Sequence, residues 1–80
     1  MPCMAQSRHP SRYLGSVLRE FRIARNLSQE EVARLAGLSM TYVSLVETGK
    51  RNPTVSAVAG ILSALKVSWT EFGVRMDAAT

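Results

Sequence analysis

The 80-residue sequence predicts an all-α domain of five short helices. Apolar residues recur at helical spacing in each segment, and Ser, Thr, Asn and Gly stand where helices start and stop. No segment alternates cleanly enough for a strand. A chain of 8.8 kDa has interior for one core. With 46% hydrophobic and 20% charged residues, it is expected to fold.

Residues 1–11 have no apolar periodicity and include Pro2 and Pro10, so they read as a flexible N-terminal arm, with 12–80 as the domain. Leu14, Val17, Leu18, Phe21 and Ala24 give a first helix over 12–25 one apolar face, and Asn26 is its expected stop. Ser28 with Glu31 forms a capping-box pattern for a second helix. Val32, Leu35 and Ala36 supply its buried stripe, and Gly37 ends it.

Only Leu38 then separates Gly37 from Ser39, the expected cap of a third helix running from Met40 to about Thr48 and closed by Gly49. Two short helices joined through a glycine turn are a helix-turn-helix pattern. The residues Lys50-Arg51-Asn52-Pro53 read as loop. Thr54 caps a fourth helix whose core face is Val55, Val58, Ile61, Leu62 and Leu65. Lys66 and Val67 lead to Ser68, which with Glu71 makes a second capping-box pattern for a final helix carrying Trp69 and Phe72.

Composition narrows function before any motif does. The net charge of +4 and a pI near 10.0 favour a polyanionic partner. A single cysteine, Cys3, excludes an internal disulfide framework and a multi-cysteine zinc site. No run reaches the ~18 apolar residues of a membrane span, and the opening residues lack the apolar centre of a signal peptide, so a cytoplasmic protein without a membrane partner is expected. Cys3 and His9 lie in the arm, where no catalytic or metal-binding geometry can be held, and Asp77 adds nothing near the end. The chain is therefore not expected to be an enzyme, to bind a metal or to need a cofactor.

On a helical wheel at about 100° per residue, Val43 and Val46 share the buried side of the third helix. Thr41, Ser44, Leu45 and Thr48 collect opposite, with Met40 and Glu47 on one flank and Tyr42 on the other. This outer face is uncharged and offers hydroxyls and apolar groups. Such groups suit major-groove base edges and the thymine methyl. Lys50, Arg51 and Asn52 follow at once, placed for phosphates, and Gln29 opens the second helix where free N–H groups can hold another. Taken singly, each is an ordinary solvated residue. Only their joint placement around the glycine turn is informative.

The stretch LSQEEVARLAGLSMTYVSLVETGKRNPT, Leu27 to Thr54, closely resembles the lambda-repressor-like (Cro/XRE) helix-turn-helix family, and the likeness extends from about Leu14 to Phe72. It implies a compact five-helix domain with the helix-turn-helix at helices two and three. It also implies sequence-specific binding of a double-stranded DNA operator, usually as a homodimer on two-fold related sites. By this likeness Met40, Thr41, Tyr42, Ser44 and Leu45 read bases. Gln29, Ser39, Thr48, Lys50, Arg51 and Asn52 contact the DNA backbone, and Arg22 with Glu47 forms a structural salt bridge. The glutamines common on the family's reading face are absent here.

The segment TYVSLVE followed by RNPT is similar to the controller proteins of restriction–modification systems; prophage repressors and antitoxins of the same fold are alternatives. Activation would add RNA polymerase as a partner, although Glu30, Glu31 and Glu71 serve equally as capping residues. Trp69, Phe72, Val74 and Met76 crowd the chain end and are assigned to a homodimer interface. The alternative is that Trp69 and Phe72 merely close the monomer core.

Overall fold

Every helix after the first begins where a short hydroxyl side chain takes up an orphan amide. The computed structural model describes residues 11–79 and contains, among them, helices α1 (Ser11–Ala24), α2 (Gln29–Ala36), α3 (Met40–Glu47), α4 (Val55–Leu65) and α5 (Trp69–Ala79), with no strand. Ser28 Oγ accepts from the Glu31 N–H at 3.0 Å, and the Glu31 carboxylate accepts from the Ser28 N–H at 2.7 Å, closing the capping box of α2. Those bonds from the Ser28 backbone and hydroxyl hold the Glu31 carboxyl below the usual carboxylate range, with Arg34 adding to the shift. Ser39, Thr54 and Ser68 cap α3, α4 and α5 in the same way. At Ser68 only half of the expected box forms: the Glu71 N–H donates to Ser68 Oγ, but the Glu71 carboxylate makes no return bond.

The helix ends follow the expected stops. Asn26 adopts a left-handed φ of 57°, and Gly37, at 74°, turns the chain into α3 with its N–H on the carbonyls of Ala33 and Arg34. Lys66 closes α4 at a φ of 59°, a left-handed cap that no glycine or asparagine marks in the sequence.

The core draws on every helix: Val17 and Leu18 of α1, Val32 of α2, Val46 of α3, Val58, Ile61, Leu62 and Leu65 of α4, and Phe72 of α5, with Val67 from the last link. In packing terms α2 lies on α3 and α4, and α1 lies on α3, α4 and α5. Arg25 ties the end of α4 to α1, donating from Nε to the Leu65 carbonyl at 2.8 Å with its guanidinium 5.7 Å from the Phe21 ring centre. No buried side-chain nitrogen or oxygen among the described residues lacks a hydrogen-bond partner.

Several expected core positions face outward instead. Leu35 is exposed, because the buried line of α2 runs through Val32 and Ala33. Val55 is 76% exposed; it is the first residue of α4, and the buried stripe of that helix starts two positions later, with Ala57 and Val58. Ala24 is exposed at the last residue of α1. The arm expected over 1–11 lies outside the described residues except for Ser11, which opens α1, and Cys3 and His9 lie outside them altogether.

Gly15 has a role the apolar pattern does not reveal. A Cβ there would fall on the Val46 carbonyl oxygen and within 2.9 Å of the Glu47 carbonyl oxygen, so α1 and α3 touch through backbone at this point. Alanine is ordinarily the better helix former by about 0.5–1 kcal/mol. Here Gly15→Ala is expected to destabilise the protein by about 1–3 kcal/mol through overpacking against backbone, seen as a lower urea midpoint. An unchanged or raised midpoint would contradict the close approach.

Candidate nucleic-acid interface

The position of α3 is set from beneath by Val43 and Val46, both buried, and by one carboxylate. Glu47 is the buried acid at the end of the helix, its side chain 4% exposed. Arg22 Nε donates to Glu47 Oε2 at 2.7 Å and Arg22 Nη2 to Oε1 at 3.1 Å, the bidentate arrangement in which a guanidinium is strongest. Gln29 Nε2 donates to the same Oε1 at 3.0 Å, and Arg22 Nη1 donates to the Leu27 carbonyl at 2.8 Å. One ion pair thus joins α1, the α1–α2 link, α2 and α3.

With Glu47 turned inward, the outer side of α3 carries no acid. Thr41 is exposed and Met40 is 52% exposed, whereas Ser44 and Leu45 are half-buried. Ser39 Oγ accepts from the Tyr42 N–H at 3.0 Å, which leaves its hydroxyl proton available to an acceptor in solvent. Thr48 behaves differently from the backbone-contact role assigned to it. Its hydroxyl donates back to the carbonyls of Ser44 at 2.9 Å and Leu45 at 3.2 Å, so its one proton is already used within the helix end. Gln29 likewise has one amide proton on Glu47 and one left.

Tyr42 is half-buried, as Ser44 and Leu45 are, but among the base-reading candidates it is Tyr42 that packs against the core cluster, which commits its ring inward. Lys50, Arg51 and Asn52 are all exposed. Their loop is anchored by the N–H groups of Lys50 and Arg51, which both donate to the Leu45 carbonyl, at 2.9 and 3.2 Å. Main-chain partners such as Leu27 and Leu45 were not legible in the sequence, since a carbonyl acceptor has no side-chain signature.

The four residues assigned to a homodimer interface divide. Phe72 is 7% exposed and belongs to the core cluster, which corrects its assignment to an interface: the apolar area it would offer a partner is already covered by this chain. Met76 is half-buried against the same core. Trp69 and Val74 remain 53% and 65% exposed, and Trp69 meets Phe72 edge-on at 6.3 Å between ring centres.

The sequence profile of the helix-turn-helix family matches residues 18–72, covering α2, the glycine turn and α3. The chain belongs to the Cro/XRE-type helix-turn-helix family. This helix-turn-helix protein is 40% identical over 64 residues to y4dJ, an uncharacterised HTH-type transcriptional regulator of Sinorhizobium fredii, a match covering 80% of this chain and 83% of that protein. The crystal structure of C.AhdI, a restriction–modification controller protein of Aeromonas hydrophila, is similar at a TM-score of 0.74 and 39% identity, over 78% of this chain and 94% of that one. A chain of the controller protein C.Esp1396I, from the crystal structure of its tetramer in complex with its natural 35 base-pair operator, is similar at a TM-score of 0.83 and 26% identity, over 88% of this chain and 92% of that one.

The ion pair makes a stability prediction. Glu47→Ala leaves Arg22 without its counter-charge in a largely buried setting and is expected to cost about 3–5 kcal/mol. The double change Arg22→Met with Glu47→Leu should recover much of that loss, because no uncompensated charge remains. Chemical denaturation of the three proteins checks both, and a double variant no more stable than Glu47→Ala would contradict this reading.

Proposed function

We propose that this chain is a sequence-specific transcriptional regulator that binds a two-fold related DNA operator as a homodimer, in the control of restriction–modification genes. The observation that carries the reading is the outer side of α3. It is free of acid, exposes Met40 and Thr41, is capped by Ser39, and is flanked by the exposed cationic loop of Lys50, Arg51 and Asn52. An uncharged, hydroxyl-bearing helix can enter the major groove while cations beside it take the phosphates. That division favours nucleic acid over the protein surface an antitoxin would cover. The choice of restriction–modification genes rests on the likeness to C.AhdI.

Thr41, Ser44, Met40 and Leu45 are the proposed base readers. Ser39, Gln29, Lys50, Arg51 and Asn52 are the proposed backbone contacts, with Thr48 the weakest of that set because its proton is spent. Trp69 and Val74 supply the proposed two-fold contact, which would set the recognition helices about one DNA turn, ~34 Å, apart. If the protein activates, RNA polymerase is a further partner, and the exposed Glu30 and Glu71 are the acids open to it, Glu31 being held by Ser28. Among the described residues no helix is long and apolar enough to cross a membrane.

Binding to duplex DNA should weaken steeply with salt, with a log–log slope near −0.9 for each phosphate neutralised. Thr41→Ala should cost about 1–3 kcal/mol at particular base pairs and leave random-sequence binding intact, as measured by titration of selected and random duplexes. Failure of every duplex to bind at low ionic strength would end the DNA-binding reading. For the homodimer, the wild type should sediment as a dimer at micromolar concentration and Trp69→Ala should shift it toward monomer. A wild type that sediments only as a monomer would rule out that interface.

A further inference from the structure

We propose that Tyr42 is a positioning residue for Arg51, presenting the guanidinium to a DNA phosphate beside the recognition helix, an inference that rests on the DNA-binding reading above. The Arg51 guanidinium lies 5.3 Å from the centre of the Tyr42 ring, within the range at which a cation is attracted to an aromatic face. No carboxylate among the described residues pairs with Arg51, so the ring is its only fixed neighbour of opposite character. An exposed arginine otherwise samples many rotamers and loses that freedom when it grips a phosphate. Stacking it beforehand removes part of the loss.

The ring is held from two directions, and the backbone that carries Arg51 is anchored separately. Tyr42 packs against the core from α3, one turn from the buried Val46. Its phenolic oxygen accepts the Thr54 N–H at 3.4 Å, which joins the ring to the cap of α4. The backbone of Arg51 is tied to the Leu45 carbonyl of the same helix at 3.2 Å. The loop is therefore bridged to α3 at Arg51 and at Thr54, and Arg51 spans the interval over the ring. Tyr42 in this arrangement acts through Arg51 rather than by reading a base.

The test uses the full chain and a random-sequence duplex, with affinities measured for the wild type, Tyr42→Phe, Tyr42→Leu, Arg51→Ala and the Tyr42→Leu/Arg51→Ala double variant. Tyr42→Phe keeps the ring and should bind about as well as the wild type. Tyr42→Leu should weaken binding by about two- to fivefold, the range set by an exposed cation–aromatic contact, and should cost nothing further once Arg51 is alanine. In the free wild type, the Arg51 side-chain methylene protons should show upfield ring-current shifts in NMR spectra, retained in Tyr42→Phe. Losses that multiply in the double variant, or unshifted Arg51 methylenes in the folded wild type, would overturn the inference while leaving DNA binding standing. A wild type that binds no duplex would overturn both.

Discussion

The buried carboxylate of Glu47 is the constraint on which the rest of the architecture depends. A charge that far from water is tolerable only if it is matched, and three donors on two other helices match it. Those donors come from Arg22 and Gln29, so satisfying one charge fixes α1, α2 and α3 relative to one another. The same act removes the only acid of α3 from its outer side. Structure and electrostatics are settled together, and a surface that would repel phosphates becomes neutral.

Close packing complements that polar joint. Gly15 lets the backbone of α1 reach the main-chain carbonyls of Val46 and Glu47. Valines beneath α3 give it little room to roll, since interiors pack at crystal-like density and respond to a single added methyl. Arg25 at the Leu65 carbonyl does the equivalent service for the end of α4. Helix α3 is short, eight residues, and would be marginal alone. Its order is borrowed from these neighbours.

Polar work at the surface is divided among groups with different hydrogen-bonding capacity left over. Ser39 spends its lone pair on a cap and keeps its proton, whereas Thr48 spends its proton on its own helix. Two hydroxyls at the two ends of one helix thus have unequal value to a phosphate, although they look alike in sequence. Tyr42 shows the same point for an aromatic ring, being committed to the core, to Thr54 and to Arg51 at once.

Much of this protein was determined locally. Helix starts at Ser28, Ser39, Thr54 and Ser68, and the turns at Asn26 and Gly37, follow from hydroxyl caps and left-handed residues acting within four positions of chain. The uncharged stripe of α3 and the cationic loop after it were equally plain, as was the family pairing of Arg22 with Glu47. Only the tertiary structure decided which apolar residues go inside: Phe72 enters the core and leaves Trp69 and Val74 out, while Leu35 and Val55 face solvent. It alone decided that Gly15 marks a helix contact and that Tyr42 faces Arg51. The reason is physical: caps and turns depend on neighbours along the chain, whereas burial, close approach and ring stacking depend on where a different helix comes to lie.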